Sequence, residues 1–377
     1  MRITGIGWRG FGIPFHRRYL TAADDGSVRH GLLLFLLTED GRIGVGEASP
    51  VGAGSAGAIE SLANALREAV PLVMADAISP MEASYWDLPP SLRLGLEAAL
   101  LDLEASGERR SVADLFSLRP QAVPANALIT PESPREAARQ AVEAVSAGFQ
   151  TLKLKVALST PDADEALVAA VRDAAGPTVR LRVDANGGWE LGQAVEVLNR
   201  LAPYRLEYAE QPVAGQDIAG LAQLRRQTPV PIAADEAILD GDALHDVLSM
   251  DAADVIILKP ARLGSILTTL QLARMAGQAN KPVVVTTSLE SGIGVAPAWL
   301  LATAITGGTL AQGLSTSLLL ESDLLTTPLV PVNGMAAPLE GPGLGVRLDP
   351  DALSRYATGV TGAAGNWDDS FLQRLRG

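Results

Sequence analysis

Six charged side chains recur along the sequence, each near the carboxyl end of a short apolar segment. They are Lys155, Asp184, Glu210, Asp235, Lys259 and Glu290. Successive members are about one strand-and-helix unit apart, so each would lie at the same end of a repeating βα structure. In a closed barrel of parallel strands these ends meet at one face, where such barrels carry their active sites. The pattern therefore predicts a single site built from distant parts of the chain.

Three of these side chains are carboxylates on neighbouring strands, namely Asp184, Glu210 and Asp235. Without a cation, burial and mutual repulsion would force them to take up protons. The chain has no cysteine, and its three histidines are not at predicted barrel-strand ends, so oxygen ligation favours Mg²⁺ first and Mn²⁺ second. We predict a metal site that binds a substrate carboxylate and stabilises the charge formed when its α-proton leaves.

Lysines supply the groups that could move this proton. Lys153 and Lys155 are two residues apart in the segment KLK, so they point to the same face of a strand. Their mutual repulsion, together with the metal, is expected to lower an ammonium pKa toward neutrality, as a general base requires. Lys259 comes from the sixth strand, across the barrel from Lys155 on the second. All three lysines are candidate catalytic residues, and a substrate would lie between Lys155 and Lys259.

The elements that would position these residues begin near residue 124, where short apolar strands alternate with amphipathic helices. The strand candidates are ANALIT, TLKLKV, RLRVDA, RLEYAEQ, PIAADE, DVIILKP, PVVVTTS and LAQGLS. The helices between them are predicted at 134–147, 164–174, 191–201, 217–227, 242–250 and 265–279. This alternation predicts an α/β fold in which eight parallel strands close as a (β/α)₈ barrel, with a doubly wound open sheet as the alternative.

The two ends of the chain have a different pattern and predict a second domain. Residues 1–118 contain a hairpin, in which LLLFLL and RIGVGEAS flank the turn Glu39-Asp40-Gly41, and helical patterns at 58–70 and 92–106. We interpret them as an α+β capping domain, followed by the barrel domain at 119–318. Residues 319–377 contain glycine-rich turns and a predicted charged helical tail, and we expect them to pack back on the barrel and complete the capping domain.

Two polar or glycine-rich stretches of the N-terminal domain are interpreted as mobile loops. They cover residues 17–27 and 48–57, and both suit a lid over a barrel active site.

Composition limits the function classes. The chain has 377 residues, of which 47% are hydrophobic and 19% charged, which fits a compact α/β protein and excludes a disordered one. A net charge of −13 argues against nucleic-acid binding. The first residues lack the apolar core of a signal peptide, and no apolar run approaches the ~20 residues that cross a bilayer. We expect a soluble, cytoplasmic protein with a small-molecule carboxylate substrate and no membrane partner, and the sequence leaves open whether it forms a homo-oligomer.

The motifs around the six charged residues resemble those of the enolase superfamily, muconate-lactonizing subgroup, over nearly the whole chain. They read KLK, DANGGW, EQP, ADE, LKP and TSLESGIG. The resemblance implies that the three carboxylates are Mg²⁺ ligands and that Lys155 and Lys259 form an acid/base pair. It also implies that Asn186 and Glu236 support the ligands by hydrogen bonding and that the N-terminal domain closes over the substrate.

Within this subgroup, the segments SLESGIG and KPARLGS are most similar to the o-succinylbenzoate synthases. This resemblance implies dehydration of 2-succinyl-6-hydroxy-2,4-cyclohexadiene-1-carboxylate through an enediolate, a step of menaquinone biosynthesis. Lys155 would remove the α-proton and then assist departure of the hydroxide, while Lys259 would act electrostatically. The substrate-binding candidates are Ser288, Glu290, Ser291 and Gly292.

Other functions of the same fold stay open at this point. An N-acylamino acid racemase would use the same metal and lysines in a two-base proton exchange, and a muconate cycloisomerase is a further alternative. A base of the mandelate-racemase type is disfavoured because Ser288 and Glu290 replace the expected histidine. A dipeptide epimerase is disfavoured because GLSTS replaces an Asp-x-Asp motif. A catalytically silent metal-binding scaffold explains the carboxylates and gives no reason for both lysines.

Overall fold

A computed structural model of the protein describes residues 1–20, 25–50, 52, 54–75, 78–131, 133–305 and 310–368. Its strands are β1 (Ile3–Leu20), β2 (Asp25–Thr38), β3 (Ile43–Ala48), β4 (Val123–Pro124), β5 (Ala127–Ile129), β6 (Thr151–Lys155), β7 (Arg180–Asp184), β8 (Tyr208–Glu210), β9 (Ile232–Ala234), β10 (Val255–Leu258), β11 (Val283–Val285), β12 (Met335–Ala336) and β13 (Ala357–Gly365). Its α-helices are α1 (Ala56–Val73), α2 (Pro80–Ala83), α3 (Pro90–Gly107), α4 (Val112–Leu115), α5 (Pro134–Ser146), α6 (Pro161–Ala175), α7 (Leu191–Leu201), α8 (Ile218–Gln227), α9 (Gly241–Ser249), α10 (Pro260–Leu263), α11 (Ile266–Gln278), α12 (Gly292–Ile305) and α13 (Pro350–Arg355). Short 3₁₀ turns lie at Ala202–Tyr204 and Thr316–Leu319.

The central sheet consists of parallel strands in the order β11-β10-β9-β8-β7-β6-β5, so strands that follow one another in the chain are neighbours in space. Residues 310–315 take the eighth position. Within this segment Gln312 forms a parallel bridge with Ala125, and Gly313 forms one with Thr286. The sheet therefore closes between β11 and β5, and the predicted (β/α)₈ barrel is confirmed.

The register of the barrel strands brings the predicted site residues to one edge. Lys155 at the end of β6 pairs with Asp184 of β7, and Asp184 pairs with Glu210 of β8. Glu210 in turn pairs with Ala233, two residues before Asp235. Because parallel strands present their carboxyl ends on the same side, these side chains share one end of the barrel.

The barrel helices begin where the sequence supplies side-chain caps. Ser133 accepts a hydrogen bond from the Glu136 amide at the start of α5, and Ser265 accepts one from the Thr268 amide at the start of α11. Such caps satisfy backbone N–H groups that have no partner within the helix. The six predicted barrel helices agree with α5 to α9 and α11 to within a few residues. The sequence pattern did not predict α12, whose residues are apolar on every side and mostly buried.

A buried cation connects the strands where the barrel closes. Arg182 of β7 is fully buried and donates to Asn126 Oδ1 at 3.2 Å and to the Ala311 carbonyl at 2.8 Å. It also forms an ion pair with Glu207 at 2.6 Å and stacks over the ring of Tyr208. These contacts hold the irregular eighth segment against the regular strands.

The N-terminal part of the chain forms an antiparallel sheet in the order β13-β1-β2-β3, and the predicted hairpin around Glu39-Asp40-Gly41 is confirmed between β2 and β3. The outer strand β13 comes from the C-terminal segment and pairs with β1. The expected helical tail is wrong for Ala357–Gly365, because this stretch finds a strand partner at the opposite end of the chain. Residues 369–377 lie outside the described residues. The division into domains at 118 and 318 stays a prediction.

The two predicted lid loops have different outcomes. Within 17–27, Arg17 belongs to β1 and Ser27 to β2, and residues 21–24 lie outside the described residues. The loop prediction was wrong for the strand residues because exposed polar side chains do not prevent backbone pairing. The stretch at 48–57 connects β3 to α1, and its residues 51 and 53 lie outside the described residues. In the part of the chain that the structure describes, no helix is long and apolar enough to cross a membrane.

Helix α3 of the N-terminal part contacts the barrel directly. Glu97 is fully buried and accepts hydrogen bonds from Ser265 Oγ at 3.0 Å and from the Ile266 amide at 2.6 Å, which caps α11. One turn earlier, Arg93 donates to the Gly264 carbonyl at 3.1 Å. A side chain at Gly264 would collide with Pro90, since an added Cβ would lie 2.8 Å from its Cα. The start of α11 is therefore fixed by this helix.

Replacing Glu97 by glutamine is expected to change how stability depends on pH. Burial raises the pKa of Glu97 to about 7 from 4.5, although hydrogen bonds from Ile266 and Leu267 oppose this. The Glu97 carboxyl group therefore binds a proton more tightly in the folded state than in the unfolded state. The resulting stabilisation of the folded state is fully present below pH 4.5 and is lost as the pH rises through 7. The difference in unfolding free energy, wild type minus Glu97→Gln, should therefore fall by about 3 kcal/mol between pH 4.5 and pH 7.

Urea unfolding of both proteins at pH 4.5 and pH 8 measures this difference. Glu68→Gln, an exposed glutamate on α1, is the matched control and should show no such pH-dependent difference from wild type. A wild-type-minus-Glu97→Gln difference that stays constant with pH would contradict the prediction.

Candidate active site

At the carboxyl end of the barrel, lysines pair with the predicted metal-binding carboxylates. Lys153 Nζ lies 2.5 Å from Glu210 Oε1 and 2.9 Å from Asp184 Oδ2. Lys155 Nζ lies 2.7 Å from the same Asp184 oxygen and 2.8 Å from Asn186 Oδ1. The two lysines therefore share a face of β6, as predicted, and both contact one carboxylate.

Asp235, after β9, is paired by two cations from the next unit of the barrel. Lys259 contacts its Oδ2 atom, and Arg262 Nη1 lies 2.6 Å from its Oδ1 atom. Sequence reasoning did not single out Arg262. It follows Lys259 by three residues in KPARLGS, and the helical turn of α10 brings residues at this spacing to one side. That spacing was the available signal.

These ion pairs shift the carboxylate pKa values in opposite directions. Burial tends to raise the pKa of Asp184, but Lys153 and Lys155 outweigh it and hold that pKa below its usual range. The pKa of Glu210 is raised, because burial and the neighbouring charge of Asp184 outweigh the attraction of Lys153. Glu210 is thus the carboxylate whose charge the protein alone stabilises least.

The expected lowering of a lysine pKa depends on a bound metal ion and stays a prediction, whereas in the protein alone the pKa of Lys153 shifts upward. Burial lowers the pKa of Lys153, but the charges of Asp184 and Glu210 outweigh burial, and the pKa is raised well above its usual value. Attraction by two adjoining carboxylates therefore dominates any repulsion from Lys155.

Asn186 and Glu236, the expected supports of the ligands, lie beside the carboxylates. The backbone N–H of Asn186 donates to Asp184 Oδ1 at 3.0 Å, and its side-chain Nδ2 donates to Glu236 Oε1 at 3.0 Å. Glu236 Oε2 is buried and has no hydrogen-bond partner among the described residues. The pair connects the end of β7 to the segment after β9.

The donor chemistry of this cluster fits a hard divalent cation. Asp184, Glu210 and Asp235 offer only oxygen atoms and are fully buried, and Glu210 Oε2 has no hydrogen-bond partner in the described parts of the chain. In the present side-chain arrangement, no three histidine or acidic side chains of the described residues are grouped as a cation requires. Lys153 Nζ instead contacts both Asp184 and Glu210. The ligand assignment therefore stays a prediction. Binding of the ion would require Lys153 Nζ to move away from Asp184 and Glu210.

A cavity of about 200 Å³ opens beside these charges. Lys153, Lys155 and Lys259 line it, as do Asn186 and Glu236. Neutral residues also line it, among them Thr286, Thr287, Ser288, Ser315 and Leu289. Thr286 Oγ1 and Ser288 Oγ are buried with no hydrogen-bond partner among the described residues. The cavity lining therefore combines charged side chains with neutral residues that carry hydroxyl groups.

Of the predicted substrate contacts, only Ser288 lines this cavity. Glu290, Ser291 and Gly292 are buried and engaged with protein groups. Glu290 Oε2 accepts from the Ser288 amide at 2.6 Å, and the Gly292 amide donates to Asp323 Oδ1 at 2.7 Å. These three residues therefore lie outside the cavity lining and contact neighbouring parts of the protein instead.

Sequence reasoning also missed Glu47, which joins the N-terminal sheet to the start of α12. It accepts from the Ser291 amide at 3.1 Å and from the Gly294 amide at 3.0 Å, and Ser291 Oγ also donates to it. Burial raises the pKa of Glu47 to about 7 against the effect of the Ser291 hydrogen bond. An acidic residue within the apolar strand IGVGEA was the available signal, but the helix it contacts is far away in the sequence.

Comparison with known proteins places this chain in a family. Residues 136–352, more than half of the chain, match the family of enolase C-terminal domain-like proteins. The chain belongs to this family. It is 42% identical over 215 residues to an o-succinylbenzoate synthase from Thermobifida fusca, a match that covers 56% of this chain and 65% of that relative. The aligned region is thus less than two thirds of the relative's length.

Solved structures of the enolase superfamily show the same fold over almost the entire chain. Muconate lactonizing enzyme from Pseudomonas fluorescens is 25% identical, with a TM-score of 0.89 over 95% of this chain and 99% of that one. A dipeptide epimerase from Cytophaga hutchinsonii, complexed with Mg and the dipeptide D-Ala-L-Val, is 24% identical, with a TM-score of 0.88 over 96% of this chain and 100% of that one. The enolase-superfamily fold and the muconate-lactonizing subgroup predicted from the motifs are confirmed.

Removal of the Lys153 charge is expected to destabilise the metal-free protein. Lys153→Met leaves Glu210 buried without its ion-pair partner, and breaking a buried pair in this way costs about 3 kcal/mol of unfolding free energy. The matched control is Lys281→Met, which removes a pair with the exposed Asp251 and should cost less than about 1 kcal/mol. Denaturant unfolding in EDTA compares the two. Equal losses in both variants would contradict the buried-pair interpretation.

Proposed function

We propose that this enolase-superfamily chain is an o-succinylbenzoate synthase, a lyase that dehydrates 2-succinyl-6-hydroxy-2,4-cyclohexadiene-1-carboxylate to 2-succinylbenzoate. The observation that carries the proposal is the position of Lys155 and Lys259 in one cavity, beside three buried carboxylates. The 42% identity to the Thermobifida fusca synthase supports the choice of substrate.

In this proposal, Asp184, Glu210 and Asp235 hold a Mg²⁺ ion, with Mn²⁺ as a substitute. When bound, the ion would stabilise negative charge on the substrate carboxylate. Asn186 and Glu236 would orient the ligands through the hydrogen bonds described above. The cluster contains four cationic side chains, on Lys153, Lys155, Lys259 and Arg262, which offset the acidic groups, so a divalent cation and a dianionic substrate would preserve the balance of charge.

Lys155 is proposed as the base. In its neutral form, Nζ would remove the proton from the carbon that bears the ring carboxylate, and the electron pair of that C–H bond would move onto the carboxylate to give an enediolate. The electron pair would then return to form the new ring double bond as the bond from the adjacent carbon to its hydroxyl breaks. The protonated Lys155 returns the proton to the departing oxygen, so that water leaves and Lys155 is again neutral. Withdrawal of Asp184 from its ion pair with Lys155 favours the neutral form that the first step requires.

Lys259 is proposed to remain charged and to stabilise the negative charge that develops on the ring and its carboxylate. Its contact with Asp235 holds it at the side of the cavity formed by the next barrel strand. Thr286 and Ser288 are proposed to donate hydrogen bonds to the succinyl carboxylate after a rotation of their side chains, since both residues line the cavity and their buried hydroxyl groups have no hydrogen-bond partner among the described residues. This assignment moves the tail-binding role away from Ser291 and Gly292.

The cellular location, metabolic pathway and oligomeric state of the protein are also part of this proposal. The proposal includes a cytoplasmic location, a part in menaquinone biosynthesis and no membrane partner, and the acidic composition disfavours nucleic-acid binding. A homo-oligomer is compatible with this proposal and is not needed to complete the described site.

The synthase assignment predicts rapid aromatisation of the cyclohexadiene substrate by the purified enzyme with Mg²⁺. The reaction is followed by ultraviolet absorbance. Activity should be lost in EDTA and return when Mg²⁺ is added, and Lys155→Ala should lower kcat by about 10³-fold or more because it removes the base. Lys281→Ala, at a surface ion pair, is the control and should keep full activity. Absence of turnover by folded, metal-loaded wild type would exclude the synthase.

The opposed lysines also favour a second candidate, an N-acylamino acid racemase acting on N-succinylamino acids. Exchange of the α-proton with solvent D₂O, measured by NMR, distinguishes the two functions. A racemase should exchange both enantiomers, and Lys259→Ala should abolish racemisation in both directions. The synthase proposal predicts that Lys259→Ala retains part of the dehydration rate, since Lys155 still transfers the proton.

A further inference from the structure

Gln211 contacts the segments that follow all three carboxylates. It comes directly after Glu210 and is fully buried. Its side-chain Oε1 accepts hydrogen bonds from the backbone N–H of Asp235 at 2.9 Å and of Ala237 at 3.1 Å. Its backbone carbonyl accepts from the Gly187 N–H at 2.8 Å, three residues beyond Asp184. A single residue thus joins the ends of β7, β8 and β9.

Both ends of the Gln211 amide are used, which fixes its orientation. Oε1 must face the two backbone N–H donors, and Nε2 donates to the Val213 carbonyl at 2.9 Å. The side chain is not among the residues that line the cavity. Its effect on the site must pass through the backbone that it holds.

The backbone of Gln211 adopts a conformation that side chains rarely take. Its φ angle is +38°, in the left-handed region, and the next residue is Pro212, which further restricts the residue before it. Such a conformation persists only where the surrounding contacts determine it. Here the Gln211 N–H donates to the Ala233 carbonyl at 2.9 Å while the side chain holds the 235–237 segment.

We propose that Gln211 is a positioning residue for the divalent cation, because it sets the location of Asp235 relative to Asp184 and Glu210. The inference rests on the proposed metal site. Three carboxylates from three strands bind one ion well only if their backbones are held at the correct spacing before the ion arrives. Gln211 provides the hydrogen bonds that link these backbones from within the site.

The barrel offers a matched control in Gln312. This residue is also fully buried, its Oε1 accepts from the Val285 amide at 2.8 Å, and its Nε2 donates to the Leu310 carbonyl at 2.7 Å. Its side chain forms the same kind of backbone hydrogen bonds between β11 and the eighth segment, where none of the three carboxylates lies. A methionine at either position removes a buried amide of similar volume, and only Gln211→Met would disturb the carboxylates.

Isothermal titration of metal-free protein with Mg²⁺ tests the proposal, with thermal unfolding in EDTA as the measure of stability. Gln211→Met is expected to weaken Mg²⁺ binding by about 10- to 100-fold, the range seen when groups that orient metal ligands are removed. Gln312→Met should lose thermal stability and keep the wild-type Mg²⁺ affinity to within about twofold. Gln211→Asn, which keeps the amide but is too short to reach both N–H groups, is the second variant if Gln211→Met does not fold, and it should also weaken binding.

The outcomes separate this inference from the function on which it rests. Unchanged Mg²⁺ affinity in a folded Gln211 variant would overturn the positioning role and leave the metal site standing. An equal loss of affinity in Gln312→Met would also overturn it, because the effect would then be a general loosening of the barrel. If wild type itself binds no Mg²⁺, the proposed metal site fails and this inference fails with it.

Discussion

Three carboxylates buried side by side can keep their charges only if cations neutralise them, and the rest of the site depends on this constraint. In this protein, Lys153 and Lys155 neutralise Asp184 and Glu210, while Asp235 is paired with cations of the following barrel unit. The parallel register makes these pairings possible, since Lys155, Asp184 and Glu210 occupy neighbouring positions on adjacent strands. Because the lysines in these pairs are also the proposed catalytic groups, the same side chains are proposed to stabilise the folded barrel and to take part in the reaction.

The N-terminal part of the chain holds this arrangement from outside the barrel. Glu97 of α3 caps α11, which starts shortly after the segment that carries Lys259 and Arg262. Glu47 of β3 caps α12, which follows the cavity wall around Ser288. Both carboxylates are buried at the junction with the barrel, and both contribute a stabilisation that is lost as the pH rises toward 7. The walls of the cavity are therefore set by contacts between distant parts of the sequence.

The sequence alone predicted the barrel and the residues at its strand ends because both follow from local periodicity. Regular spacing was enough to place Lys155, Asp184 and Glu210 together. The positions that could not be predicted depend on contacts between distant segments. Nothing near Gly292 in the sequence indicates that Glu47 occupies the start of α12. The glycine-rich sequence of β13 does not indicate a strand, which becomes evident only from its pairing with β1. The family resemblance supplied the proposed chemistry, while the hydrogen bonds around Gln211 required coordinates.

The central claim is that Asp184, Glu210 and Asp235 exchange part of their lysine pairing for a divalent ion. Its most direct test is a crystal structure of the Mn²⁺-soaked protein, with the ion located by its anomalous scattering. We predict a single strong peak within about 2.0–2.4 Å of oxygens from all three carboxylates, with Lys153 Nζ displaced from Glu210. Mn²⁺ bound elsewhere, or Lys153 still joining Asp184 and Glu210 at saturating Mn²⁺, would contradict the claim.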